Sequence, residues 1–267
     1  MVGQMKVRRF TLGVAAAAAL VTLSACGSDD VSAGDGGSGG DQAAAGSNAA
    51  ASLTQANFSE TVLAAQRKVG SAHVEATVEF SGQEGSFSGD FSGEDLKSME
   101  MDMAADIAGQ QINLRLVDRT VYMKGAGLST DPAKPWISID LDDRNNPLAS
   151  VLDSANPANV SAYLQGVTSL EDEGTETVDG VLTHHYSVTI DTADMLKANS
   201  MFKGQDTSQL DLPKQIVTDA WLNEDDVPVK VLVTIGDSGS FEAHFSDIGV
   251  PVTVEAPPAK QVVPFSL

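Results

Sequence analysis

Run after run of alternating apolar and polar residues, joined by short polar turns, predicts an α+β fold built on one large antiparallel sheet of about ten strands. Two further observations shape that expectation. Stretches of helical period interrupt the strand runs, which sets helices against the sheet's apolar face. The chain also holds a single cysteine, Cys26, so no intramolecular disulfide can form and burial must hold the domain together.

The first 25 residues read as an export signal rather than as structure. Lys6, Arg8 and Arg9 make a basic head, and residues 12–21 are apolar and small. That run is about half the ~20 residues a membrane-spanning helix needs. Leu23-Ser24-Ala25-Cys26 then resembles the lipobox of bacterial lipoproteins. In that family the signal is cut before the cysteine, whose thiol carries a diacylglycerol. The resemblance implies that Cys26 is lipidated, and that the mature chain is tethered through it to the outer face of the bacterial cytoplasmic membrane.

Cleavage before Cys26 removes three basic residues and no acidic one, leaving 13 basic against 37 acidic residues and a formal charge of −24. Such a surface repels phosphate backbones and argues against a nucleic-acid partner. It also disfavours flat docking on an anionic bilayer, so membrane attachment falls to the lipid on Cys26. Residues 26–52 are Gly, Ser, Ala, Asp, Asn and Gln with few apolar side chains, a composition that cannot offset its ordering entropy. They read as a flexible tether. Residues 53–267 are long enough for a single domain with a sizeable core.

That domain is expected to open with a helix. Asn57-Phe58-Ser59-Glu60 has the spacing of an N-cap and its reciprocal carboxylate, Phe58, Val62, Leu63 and Val69 share a face, and Gly70 is a natural stop. From Ser71 the period changes to two. Val74, Ala76, Val78 and Phe80 alternate with polar residues, as do Phe87 and Phe91, then Met99, Met101 and Met103, then Ile112, Leu114 and Leu116, with Val121 and Met123 following. Residues 146–152 and 157–164 return to helical spacing, with Leu148, Val151, Leu152, Val160, Tyr163 and Leu164 as the apolar positions and a proline near each start. Strands resume at 175–178 and 181–190 around Asp179-Gly180, a strong hairpin signal. A helix over 191–202 and strands over 215–223, 227–235 and 241–248 follow. Val250 to Val254 reads as a closing edge segment, where Pro251 is tolerated.

Motifs that could carry chemistry are weak. Gly236-Asp237-Ser238-Gly239 matches the nucleophile motif of trypsin-like proteases, but it falls between two alternating strands, where these are ordinary turn residues. His184 and His185 are neighbours on a predicted strand, so they point to opposite faces and cannot converge on one metal ion. Asp140-Leu141-Asp142 begins like a calcium loop but lacks the glycine at position six and the acid at position twelve. Gly125-Ala126-Gly127 precedes no helix, so no dinucleotide site is expected. The expectation is a non-enzyme without catalytic residues, metal or cofactor. The Met99, Met101, Met103 stripe suits either a packed core or an adaptable binding surface.

Several phrases in fixed order carry a family resemblance. They are Gly70-Ser71-Ala72-His73-Val74-Glu75, Val121-Tyr122-Met123-Lys124, Pro135-Trp136, Asn146-Pro147-Leu148, Glu176-Thr177-Val178-Asp179-Gly180, His184-His185-Tyr186, Asp219-Ala220-Trp221-Leu222 and Phe245-Ser246-Asp247-Ile248-Gly249. Behind a lipobox, this series resembles the actinobacterial lipoproteins of the LppX/LprA/LprF/LprG type. The resemblance implies a LolA-like fold, a curved antiparallel half-barrel with helices on its concave face around a hydrophobic cavity. It implies carriage of an acylated lipid or glycolipid through the cell envelope, with a membrane transporter as a partner. In that fold the cavity would be lined by Val74, Val78, Met99, Met101, Met103, Ile112, Leu114 and Leu116 from the sheet, and by Leu148, Val151, Leu152, Val160 and Leu164 from the helices. The competing expectation is a scaffolding lipoprotein of the same fold with a filled core, acting through protein contacts.

Overall fold

Phe58, Val62 and Leu63 recur on one side of helix α1 (Phe58–Val69), and that side is buried. Phe58 and Val62 join Tyr186, Val188, Ile190, Ala220 and Leu222 in one cluster, with Phe58 edge-on to the Tyr186 ring at 5.8 Å. Asn57 is the N-cap residue, as the sequence suggests, but its side chain makes no capping bond. Its Oδ1 instead accepts from the Thr54 amide at 2.6 Å and the Thr54 hydroxyl at 2.9 Å, so the expected reciprocal cap is replaced by a turn that leads into the helix. The computed structural model describes residues 53–80, 82–93, 98–143, 167–198 and 212–265. Cys26 with its tether, and the expected helices at 146–164, lie outside the described residues.

Twelve strands form one sheet, not about ten. They are β1 (Ser71–Phe80), β2 (Gln83–Ser92), β3 (Glu100–Ile107), β4 (Gln110–Val117), β5 (Thr120–Gly125), β6 (Trp136–Asp140), β7 (Val167–Val178), β8 (Val181–Asp191), β9 (Gln215–Leu222), β10 (Pro228–Thr234), β11 (Gly239–Ser246) and β12 (Val262–Pro264). A second helix, α2 (Thr192–Ala198), follows β8 where a helix is expected. The order across the sheet is β12-β6-β5-β4-β3-β2-β1-β11-β10-β9-β8-β7. Two meanders therefore run from opposite edges and meet where β1 pairs with β11.

Three strand expectations need correction. β6 and β12 are additional, and β12 lies parallel to β6, the one departure from antiparallel pairing among the described strands. Residues 250–258 form no strand: Val250 is half exposed at 51%, and Val254 is buried with its amide bonded to a Glu100 carboxylate oxygen at 3.2 Å rather than to a neighbouring strand. β7 starts at Val167, eight residues before the expected start, because its acidic run Glu171-Asp172-Glu173 hides the alternation. Both sheet edges are blunted against further pairing. β7 carries those charges and two bulges, and β12 is three residues long and ends in proline.

Candidate functional site

The register sorts the side chains of this sheet into two faces. Strand by strand, Val74 lies opposite Gly89, then Met103, Leu114, Met123 and Ile137. The next row holds Phe91, Met101, Leu116, Val121 and Ile139, and the row on the other side holds Ala76, Phe87, Ala105 and Ile112. On the far side of β1 the same face carries Phe241, Ala243, Phe245, Val231 and Val233. Paired residues point the same way, so Val74, Val78, Met101, Met103, Ile112, Leu114 and Leu116 share this apolar face, as their alternation predicts. Met99 precedes β3 and is 3% exposed, packed with Leu116, Val121, Ile139 and Leu141.

Burial along this face is uneven. The β8–β9 end is sealed by α1, with Val188 and Leu222 at 1% exposure. The β4–β6 end is packed around Ile139, at 2%. Between them the side chains are more exposed: Val74, Val78, Phe87, Val233 and Phe245 are only partly buried around Ala76, Phe241 and Ala243. Met101, Leu114 and Met123 are partly buried as well. Gly89 leaves a bare spot in the central row. A Cβ there would stand 2.1 Å from the Asp102 carbonyl oxygen and 2.8 Å from the Met103 sulfur, so β2 and β3 approach too closely for any side chain.

The opposite face is polar and ion-paired. His73 bonds Asp90 at 2.7 Å, and Arg115 bonds Asp102 at 3.0 Å while lying over the Trp136 ring at 5.4 Å. A trough of about 560 Å³ runs across β11, β1, β2, β3 and β4 on this face, with Ser86, Ser88 and Ala104 among its lining and Glu75, Asp106, Asn113, Glu242 and His244 around it. Lys230 bonds Glu242 at 3.2 Å and stands 5.0 Å from the Trp221 ring, on which His185 stacks at 4.3 Å.

The histidine pair divides between the faces as its strand position predicts. His184 stacks on Tyr186 at 4.6 Å and bonds Asp172, while His185 lies between Trp221, Asp219 and Glu176. The His184 hydrogen bond, followed by the Gly174 amide, holds the Asp172 carboxyl below its ordinary pKa. Gly236–Ser238 forms one 3-10 turn between β10 and β11, which is the turn reading of the serine motif. Leu148, Val151, Leu152, Val160 and Leu164 lie outside the described residues, as does Cys26. The sequence reading missed the His244 and Trp221 contacts on the polar face. Their partners are 65 and 45 residues away, and no local pattern announces them.

No family model and no curated protein matches this chain. Solved structures do. The crystal structure of the Mycobacterium tuberculosis lipoprotein LppX superposes with a TM-score of 0.53 at 20% identity, over 75% of this chain and 98% of that one. This chain has the LppX fold. The crystal structure of LprF from Mycobacterium bovis gives a TM-score of 0.50 at 18% identity, over 76% of this chain and 96% of that one. At such identities the likeness is one of fold, and it agrees with the family resemblance carried by the sequence phrases. Among the described residues, no helix is long and apolar enough to cross a membrane.

Proposed function

We propose that this chain is a lipid-anchored envelope lipoprotein that binds and carries acylated lipids or lipoglycans on the apolar face of its sheet, without catalysis. The observation that carries the reading is the only partly buried centre of that face, on a fold shared with two lipoproteins. Unbranched, polarisable methionines at 101, 103 and 123 adapt to chains of varied shape, which a rigid aromatic lining would not. Each buried CH₂ gains ~0.8 kcal/mol, so an acyl chain that buries about ten of them gains roughly 8 kcal/mol before ordering costs. In this reading Cys26 holds the domain at the outer face of the cytoplasmic membrane, 26–52 is the tether, and 53–267 is the carrier. In the same reading the segments 146–152 and 157–164, expected to be helical, would complete the lining through Leu148, Val151, Leu152, Val160 and Leu164. Lipid then passes to or from a membrane transporter.

Mass spectrometry of solvent extracts from the mature protein, purified from an actinobacterial envelope, tests this directly. A stoichiometric acylated lipid is expected, beyond the anchor itself. Its consistent absence overturns the carrier reading and favours the scaffolding one, which draws support from the tight packing of Met99, Leu116, Val121, Ile139 and Leu141.

A further inference from the structure

Among the described residues, no strand lies beside the outer half of the β7–β8 hairpin. β9 pairs with β8 only as far as His184, so residues 175–183 continue beyond the sheet as a two-stranded arm. The ladder is irregular between Asp172 and Gly174, where Gly174 has φ +91°, and such a bulge bends and re-aims its strand. The arm meets the polar face at two points. Trp221 Nε1 donates to the Glu176 carboxylate, and the tip residue Asp179 reaches His244 on β11, three strands away in the sheet. Trp221 sits on the polar face yet is only 8% exposed. Of the arm's own side chains, Thr183 at its base is buried at 2% and Val178 is partly buried, whereas Val181 and Leu182 nearer the tip are 40% and 68% exposed.

The tip contact depends on a proton. His244 Nδ1 lies 2.5 Å from an Asp179 carboxylate oxygen and its Nε2 lies 2.9 Å from Glu242. A carboxylate can only accept, so satisfying both requires a ring that donates from both nitrogens, which is the imidazolium. The charged groups facing this ring are Asp179 from the arm, Glu242 from its own strand, Lys230 from β10, and Glu75, its register partner on β1. A neutral ring can donate to one carboxylate only, and it leaves Asp179, Glu242 and Glu75 to Lys230 alone.

We propose that the β7–β8 arm is a proton-operated strap, closed over the polar face while His244 is cationic and released when His244 loses its proton. The Asp179 hydrogen bond, against burial and with help from Glu242, holds the His244 pKa above its ordinary 6.5. A raised histidine pKa means that the strap contact is fully present below the ordinary value and is lost as pH rises through the folded one. His244 and Glu242 also line the polar trough, so release opens its β11 side toward Lys230 and Trp221. The inference stands on the polar face alone and is independent of lipid on the apolar one.

Hydrogen exchange of the full mature chain between pH 5.5 and 9, corrected for intrinsic rates, is the test. Protection of residues 175–183 should fall by roughly tenfold for each unit by which the His244 pKa is raised, with a midpoint matching the His244 ring titration by NMR. Protection of β9 and β10 should not change. Asp179→Asn keeps an Asn-Gly turn, which suits this hairpin as well as Asp-Gly does, and should move the midpoint to lower pH. His244→Gln should hold the arm at its low, high-pH level of protection throughout the range while the melting temperature shows that the sheet persists. Protection that stays flat with pH, or a midpoint that Asp179→Asn leaves unmoved, overturns the proposal.

Discussion

Leu114→Trp separates an open apolar face from a filled one. Leu114 lies at the middle of β4, between Met103 on β3 and Met123 on β5, and it is partly buried against the packed Met99 and Leu116 cluster. Its side chain projects from the apolar face, where an acyl chain would lie. A tryptophan there adds a ring that covers 150–250 Å² in all. If the space above the row is kept for lipid, the ring occupies it at little strain. Stability should then change by under about 1 kcal/mol, and at ~2–4 °C per kcal/mol for a domain of this size the melting temperature should move by a few degrees at most. Lipid recovered from the purified variant should fall to a small fraction of that from the parent. If protein fills the space, the same ring forces neighbours off their rotamers and costs ~1–3 kcal/mol, while neither protein yields lipid. The assay is therefore paired: extracted lipid by mass spectrometry and a thermal melt of the same sample. A variant that melts as the parent does and still carries a full load of lipid would refute the placement of the chain over β3, β4 and β5.

Three other outcomes are expected. Gly89→Ala should destabilise by about 3 kcal/mol or more, because its Cβ meets a backbone oxygen at 2.1 Å, whereas Gly85→Ala meets a Val78 methyl at 3.1 Å and the Asp106 carbonyl oxygen at 3.3 Å and should cost about 1 kcal/mol. Chemical denaturation of the two variants checks the ranking, and equal midpoints would remove the close approach of β2 and β3. Cys26→Ala should leave the chain unlipidated, and detergent partitioning should move it from the detergent to the aqueous phase, because a domain without acyl chains has no comparable anchor. Trp221→Phe should lose the hydrogen bond to Glu176 and raise exchange of the Glu176 and Thr183 region without loosening β9, as seen by amide exchange at one fixed pH below 6.5.

The apolar face was legible in the sequence because a half-buried strand writes its burial as a period of two, and pairing then copies that parity from strand to strand. Val74, Met103, Leu114 and Met123 fall in one row for this reason alone. What escaped reading has a physical cause in each case. Three residues of β12 are too few to show a period, and β6 is five residues directly after Pro135. Val250 to Val254 alternates without a ladder, since side chains rather than a neighbouring strand anchor it: the Ser71 hydroxyl donates to the Val250 carbonyl at 2.7 Å, and the Val254 amide donates to Glu100. Asn57 could cap α1, but Thr54 offers it two donors first.

The turn Asp179-Gly180 shows how one residue can answer to two levels at once. Locally, φ +51° and +83° at the two positions demand residues that accept a left-handed backbone, and Asp-Gly suffices for that. Asparagine would serve the turn equally, so the turn does not explain the charge. The charge gains its meaning only where the bulge at Gly174 and the length of β7 carry the tip to His244. The hairpin is legible locally, because Asp-Gly suffices for the turn, whereas the contact that needs the charge is not. The same two residues, placed in a shorter hairpin that ended level with β9, would be a turn and nothing more, because the carboxylate would then have water instead of an imidazolium to face.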